Sequence, residues 1–324
     1  MSRVVLLFST RVEDRTFAEK VAAHAQLTLM TAPTPQDAVR ILSQQQVGAM
    51  LVDASTQGQY DVFENAVQEA FGLFSDKLNS NTLHYLGSGD IHEVPYLIQS
   101  PLFGHYLIRN FSDIDATAEH YGRVVSATLG ERAFGIKNFL RPEAKIQTVS
   151  LKKTTQKQGA VEAVKNYLLA NKFQARISSV IANAVDELLM NAMFDAPVDA
   201  GGKHIESGSS RATEIALEGQ RAVEMHVGFD GNCFAVSVVD HFGSLDRSKL
   251  LGSVSKIYKK DSYRVRTSVA GAGIGLASVF HSGGSFFFAS ESGARTEATV
   301  LFRKAENFRS FKSQFRHLST QFYF

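Results

Sequence analysis

The chain has 324 residues, 44% of them hydrophobic and 20% charged, with a formal net charge of +2. That length suits two domains with sizeable cores, and so balanced a charge argues against nucleic acid as a partner, which would call for a strongly basic face. The single cysteine, Cys233, excludes an internal disulfide and points to a reducing cytoplasm. The apolar run Val4–Phe8 lacks the small-residue cleavage site of a signal peptide and reads as a buried strand. No stretch is long and apolar enough to span a bilayer. Helices are expected at residues 12–25 and 35–46, with strands at 27–30 and 49–52, the last ending at Asp53. A helix over 60–77, strands at 82–86 and 105–108, and a helix over 114–129 follow. Strands alternating with helices predict parallel pairing in a doubly wound sheet.

This order of elements resembles a response-regulator receiver domain over residues 1–130. Asp53 then stands where such domains carry their phosphoacceptor, at the C-terminal end of the third strand. The rest of that site departs from the pattern. Phe8-Ser9-Thr10 occupies the place of the acidic pair that holds Mg²⁺, with Glu13 and Asp14 only later. Arg109-Asn110 stands where a lysine is expected, and arginine does not replace lysine neutrally. The resemblance is therefore to a degenerate receiver, in which Asp53 is either a phosphoacceptor or a residue capping a turn.

Residues 131–145, with Pro142, read as a linker. A strand at 146–151 and helices at 161–170 and 176–196 follow. Strands at 222–227 and 234–239 are joined through Phe229-Asp230-Gly231-Asn232, a hairpin signal. A second apolar pair, 285–290 and 298–302, has Gly293 at its turn, and the glycine-rich stretch 201–210 reads as a mobile loop. Helices followed by two strand pairs predict an α/β sandwich with mixed or antiparallel pairing.

Three groups of residues in this half carry chemistry. On the helix over 176–196, Ile177, Val180, Ile181, Ala184, Leu188 and Ala192 make a core-facing stripe. Glu187 and Asn191, four apart, share another face. A carboxylate and an amide so placed can hold a hydrated metal and orient a hydroxyl, or they are an exposed Glu and an Asn near a helix end. Asp240 closes an apolar strand and is followed by His241-Phe242-Gly243. Its carboxylate can take a hydrogen bond from an amino group on a flat heterocycle, or cap the turn. Gly271-Ala272-Gly273-Ile274-Gly275-Leu276 is a loop that lets backbone approach a ligand closely before a helix begins, the arrangement suited to phosphate. Lys256, Lys259, Lys260, Arg264 and Arg266 precede it and either lie over phosphates or form a solvated face.

Taken in order, Glu-x-x-x-Asn, Asp-x-x-Gly, Gly-x-Gly-x-Gly-Leu and Gly-x-x-Thr resemble the Bergerat-fold ATPases, a family that includes histidine kinases and anti-sigma-factor serine kinases. The resemblance covers residues 146–304 and implies ATP and Mg²⁺ as cofactors. It implies Glu187 as general base, Asn191 as Mg²⁺ ligand and Asp240 as acceptor of the adenine amino group. Gly271, Gly273 and Gly275 would wrap the phosphates and Thr296 would lie near the adenine. Phe242 stands where the family has its first glycine, leaving Gly243 to serve, displaced by one. Too little chain follows the last strand for the transducer domain of the gyrase branch. His120, the histidine nearest to a phosphoacceptor position, lacks the flanking pattern of a histidine kinase. The compact arrangement is closest to the anti-sigma serine kinases, which implies a partner protein bearing the accepting hydroxyl. A non-catalytic switch, in which ATP orders residues 253–270, and a partner-binding scaffold are the alternatives.

In the tail, residues 305–324, Phe308, Phe311, Phe315 and Leu318 recur at helical spacing between Arg309, Lys312 and Arg316. This predicts a basic amphipathic helix, packed on its own protein or docking a partner or a second copy of the chain.

Overall fold

The computed structural model describes residues 3–71, 79–206, 213–256 and 283–324. The chain divides into two compact units. Unit 1 comprises Met1–Ala133 with Phe315–Thr320, and unit 2 comprises Phe134–Gln314 with Gln321–Phe324.

Unit 1 is built on strands β1 (Val4–Phe8), β2 (Thr28–Thr31), β3 (Val47–Asp53), β4 (Leu83–Gly87) and β5 (His105–Ile108). They run parallel in the order β2-β1-β3-β4-β5, the doubly wound arrangement expected. Helices α1 (Val12–His24), α2 (Pro35–Gln44), α3 (Gln57–Phe71), α4 (Pro95–Ile98) and α5 (Ile114–Leu129) connect them. Helices α1 and α5 pack together, as do α2 and α3. Covering of this kind explains why β1 and β3 are near-continuous apolar runs: both faces of a parallel sheet are buried. The approach of α1 to α5 depends on Gly122, where a Cβ would sit 2.5 Å from that of His24.

Unit 2 is a layer of helices on an antiparallel sheet. Strands β6 (Lys145–Leu151), β7 (Val223–Phe229), β8 (Cys233–Asp240), β9 (Ser285–Glu291) and β10 (Arg295–Arg303) lie in the order β9-β10-β8-β7-β6. Asp230 closes the β7–β8 hairpin, its Oδ1 accepting from the amides of Asn232 (2.9 Å) and Cys233 (2.7 Å). Helices α6 (Lys157–Ala170) and α7 (Ala175–Met190) pack on each other, joined by the ion pair of Lys157 with Asp186. Helix α7 buries Ile177, Ile181, Ala184, Leu188 and neighbours, as its stripe requires, while Val180 stays half-buried. Helix α8 (Arg247–Lys256) follows β8. In the stretch read as a loop, Val198 and His204 pair in an isolated bridge, and residues 207–212 lie outside the described residues.

The tail is a correction. Helix α9 covers only Phe308–Lys312, and Arg316–Tyr323 forms strand β11, whose residues Arg316 to Ser319 pair antiparallel with β5. Phe311 is buried and stacks on Phe302 and Phe308, at 5.8 Å and 6.2 Å between ring centroids. Phe315 and Leu318 are buried too, but not on one helical face. The apolar spacing was compatible with a helix. The free hydrogen-bonding edge of β5 rewarded extended backbone instead, a tertiary override of a weak local preference.

Among the described residues no helix is long and apolar enough to cross a membrane.

Candidate functional site

In unit 2 the helical hydrogen-bond pattern changes at the residue singled out from sequence. The α-helix ends at Met190, and Asn191–Asp195 form a π turn closed by the Ala196 amide, which donates to Asn191 O at 2.8 Å. Single π turns of this kind concentrate at functional positions because they re-aim side chains at a helix end. The Asn191 Oδ1 atom is buried and accepts no hydrogen bond among the described residues. Glu187, one turn earlier, is half-buried.

Strand β8 delivers the second element. Asp240 is 6% exposed, and its Oδ1 accepts from the backbone amides of Phe242 (2.9 Å) and Gly243 (3.4 Å). Thr296 of β10 lies directly opposite in register and hydrogen-bonds the same carboxyl. Burial pushes the Asp240 pKa up, the amides and Thr296 only partly offset it, and it settles at about 6. The carboxyl thus caps its turn and is also the side chain closing β8.

Gly243 has a packing duty that its motif did not reveal. Its φ is +56°, and a Cβ there would lie 2.0 Å from the Glu291 carbonyl and 2.7 Å from the Ala294 amide. The Gly293 amide donates to Gly243 O at 3.3 Å, so the loop after β8 is pressed against the β9–β10 turn. The Ser244 hydroxyl donates to Ala196 O at 2.8 Å, and that of Ser290 to Leu245 O at 2.8 Å. These bonds bring the Asn191 turn and the Asp240–Thr296 strand ends together. Gly271, Gly273, Gly275 and the basic residues from Lys259 to Arg266 lie outside the described residues.

A hard dication takes oxygen ligands and keeps several waters or phosphate oxygens. The uncommitted amide oxygen of Asn191 fits such a site. Among the described residues no three or more His, Cys, Asp or Glu gather to hold a metal.

Unit 1 has its own polar centre at the C-terminal end of β3. Asp53 is 5% exposed, and its Oδ1 accepts from the Ser55 hydroxyl (2.6 Å) and amide (3.2 Å). Its Oδ2 accepts from Arg11 Nε and Gln59 Nε2, each at 3.2 Å. Arg109 donates from Nη2 to Asp53 Oδ1 (2.8 Å) and to Asp14 Oδ2 (2.6 Å), and from Nε to Asp14 Oδ1 (2.7 Å). Burial pushes the Asp53 carboxyl up, but the Ser55 hydroxyl and the Arg109 charge outweigh it, and the pKa lies below the usual carboxylate value. Asp14, from the first turn of α1, thus supplies a second carboxylate that the sequence did not place at this site. Both carboxylates are already paired with the fixed guanidinium of Arg109, and Asp53 with that of Arg11 as well. The arrangement does not fit the Mg²⁺ of a receiver, which would have to lie between the same oxygens.

His120 is buried on α5 with its Nε2 3.3 Å from His317 Nε2, which does not present it as a phosphoacceptor.

No family model matches the chain. No curated protein matches it. Among solved structures, the chain is similar to one from the crystal structure of the SiaB-SiaC complex of Pseudomonas aeruginosa, at 14% identity and a TM-score of 0.30, over 47% of this chain and 88% of that one.

Proposed function

We propose that unit 2 binds ATP with Mg²⁺ and that the chain is a signalling regulator, a protein serine/threonine kinase of the anti-sigma type acting on a partner protein. The observation that supports this most is the buried Asn191 Oδ1, left without a hydrogen bond on a π turn that is tied to the Asp240–Thr296 strand ends. In this reading Asn191 holds the cation, and Asp240 and Thr296 receive the adenine. The glycines at 271, 273 and 275 cradle the phosphates, and Glu187 takes the proton from the attacking hydroxyl. The cation, when bound, neutralises phosphate charge. Positioning by the protein supplies most of the rest.

A second reading is favoured by one feature. The Asp240 Oδ1 is committed to the amides of Phe242 and Gly243, and a phenylalanine stands where the family has a glycine. This favours an ATP-responsive switch with little turnover. Glu187→Ala separates the two readings. A kinase variant keeps ATP binding and loses transfer of the γ-phosphate to its partner. In a switch, neither binding nor the partner response changes. Wild-type protein that binds no ATP overturns both.

A further inference from the structure

Four of the ten histidines, His84, His105, His120 and His317, are buried together in unit 1. The rings of His84 on β4 and His105 on β5 stack with centroids 4.1 Å apart. His84 Nδ1 lies 2.7 Å from the Tyr121 hydroxyl, which is hydrogen-bonded to Ser319. Ser319 Oγ lies 2.8 Å from His317 Nδ1, and His317 Nε2 lies 3.3 Å from His120 Nε2. His105 Nε2 donates to Asn81 O at 3.0 Å. One hydrogen-bonded chain therefore runs from β4 through α5 into β11 and back to α5.

Strand β11 depends on this chain. Besides its backbone pairing with β5 and the Thr320 bonds to Gly104 O, it is attached to unit 1 through His317 and Ser319. The groups facing His317 are His120 and Tyr121 from α5, His105 from β5 and His84 from β4, and Phe315 on its own side packs on Phe17 of α1. The charges of His120 and His105 act on it in the same direction as its burial. Neutral imidazoles can join such a chain as donor or acceptor, as His317 and His120 do to each other. A proton added to His84 or His317 is added to a fully buried ring, where desolvation penalises the charged form.

We propose that this histidine chain is a pH-operated clasp, fastening residues 316–320 to unit 1 near neutrality and releasing them in mild acid. The direction follows from linkage. Burial, with the neighbouring imidazoles, holds His84 and His317 well below the ordinary value of 6.5. On release the affinity of His317 for protons returns to that value, so the open strand binds more protons than the closed one below it. The clasp is fully fastened above about pH 6.5 and weakens as pH falls further. With one proton taken up, the opening constant rises about tenfold per pH unit.

Hydrogen exchange on the full chain between pH 7.5 and 5.5, corrected for intrinsic rates, tests this. The amides of residues 316–320 are expected to lose protection about tenfold per pH unit below 6.5 while those of β1 and β3 hold theirs. His317→Gln should flatten that dependence. Should His317→Gln fail to fold, imidazole NMR of the wild type reads the same event, with His317 gaining its proton as the strand opens. Protection that is independent of pH, a parallel loss throughout unit 1, or an unchanged slope in His317→Gln overturns the proposal.

Discussion

The Nη2 of Arg109 donates to Oδ1 of Asp53 across 2.8 Å, joining residues 56 apart in the chain. The same nitrogen also reaches Asp14 Oδ2 at 2.6 Å, so one buried cation bridges two buried carboxylates, with Arg11 adding a second charge at Asp53. Removing one partner of such a group costs far more than the group itself contributes, because the charges left behind have no solvent. Arg109→Ala should lower unfolding stability by about 3–5 kcal/mol, read from the shift of the urea midpoint. Arg109→Lys should cost less but still register, because a lysine cannot fork between two carboxylates.

The same clamp bears on Asp53 as a phosphoacceptor. Its oxygens are engaged by Ser55, Arg11, Gln59 and Arg109, and its pKa is lowered. A lowered carboxyl stabilises the fold above its unfolded value of 3.8, and that contribution is lost as pH falls through the lower folded value. Incubation with acetyl phosphate and Mg²⁺ should leave intact mass unchanged. A gain of one phosphoryl group that Asp53→Asn abolishes would show that the clamp opens.

Asp240 runs in the opposite direction. Its folded pKa of about 6 lies above the ordinary 3.8, so its ionisation opposes folding. That cost is absent below the ordinary value, grows as pH rises through the interval, and is complete above about 6. Asp240→Asn retains an acceptor for the Phe242 and Gly243 amides without the charge. It should stabilise unit 2 at pH 7 by about 1–3 kcal/mol and narrow the stability difference between pH 5 and pH 7. If ATP needs the ionised carboxyl, wild-type affinity should fall about fourfold between pH 7.5 and 5.5.

Two glycines separate packing from permissiveness. Gly243 combines a φ of +56° with a Cβ position 2.0 Å from the Glu291 carbonyl, whereas a Cβ at Gly159 on α6 meets nothing within 4 Å. Gly243→Ala should destabilise by more than about 2 kcal/mol, because it strains the backbone and parts the two turns. Gly159→Ala should be neutral or stabilising by up to about 1 kcal/mol. Thermal unfolding of the two variants side by side checks the contrast.

Much of this was legible in the sequence because the signals were local. The runs at Val4–Phe8 and around Met50 read directly as two-sided buried strands, and Asp230-Gly231-Asn232 announced its hairpin. The spacing of Glu187 and Asn191 on one helix needed only the helical repeat. What escaped was set by distant partners. Asp14 looked like an ordinary first-turn acid until α1 carried it to Arg109. The π turn at Asn191 left no pattern in the sequence, and the loop after β8 bonds to its end through Ser244. Phe315 and Leu318 kept helical spacing, yet the open edge of β5 decided their backbone. His317 carries no motif at all, and its role exists only beside His120, 197 residues earlier.

The most direct measurement is a calorimetric titration of ATP, with Mg²⁺, into the full chain and into Asn191→Ala. Saturable heat in the wild type that is lost or weakened at least tenfold in the variant, a difference of about 1.4 kcal/mol, is the predicted result. No heat in the wild type, or equal binding by both proteins, would contradict an ATP and Mg²⁺ site at Asn191.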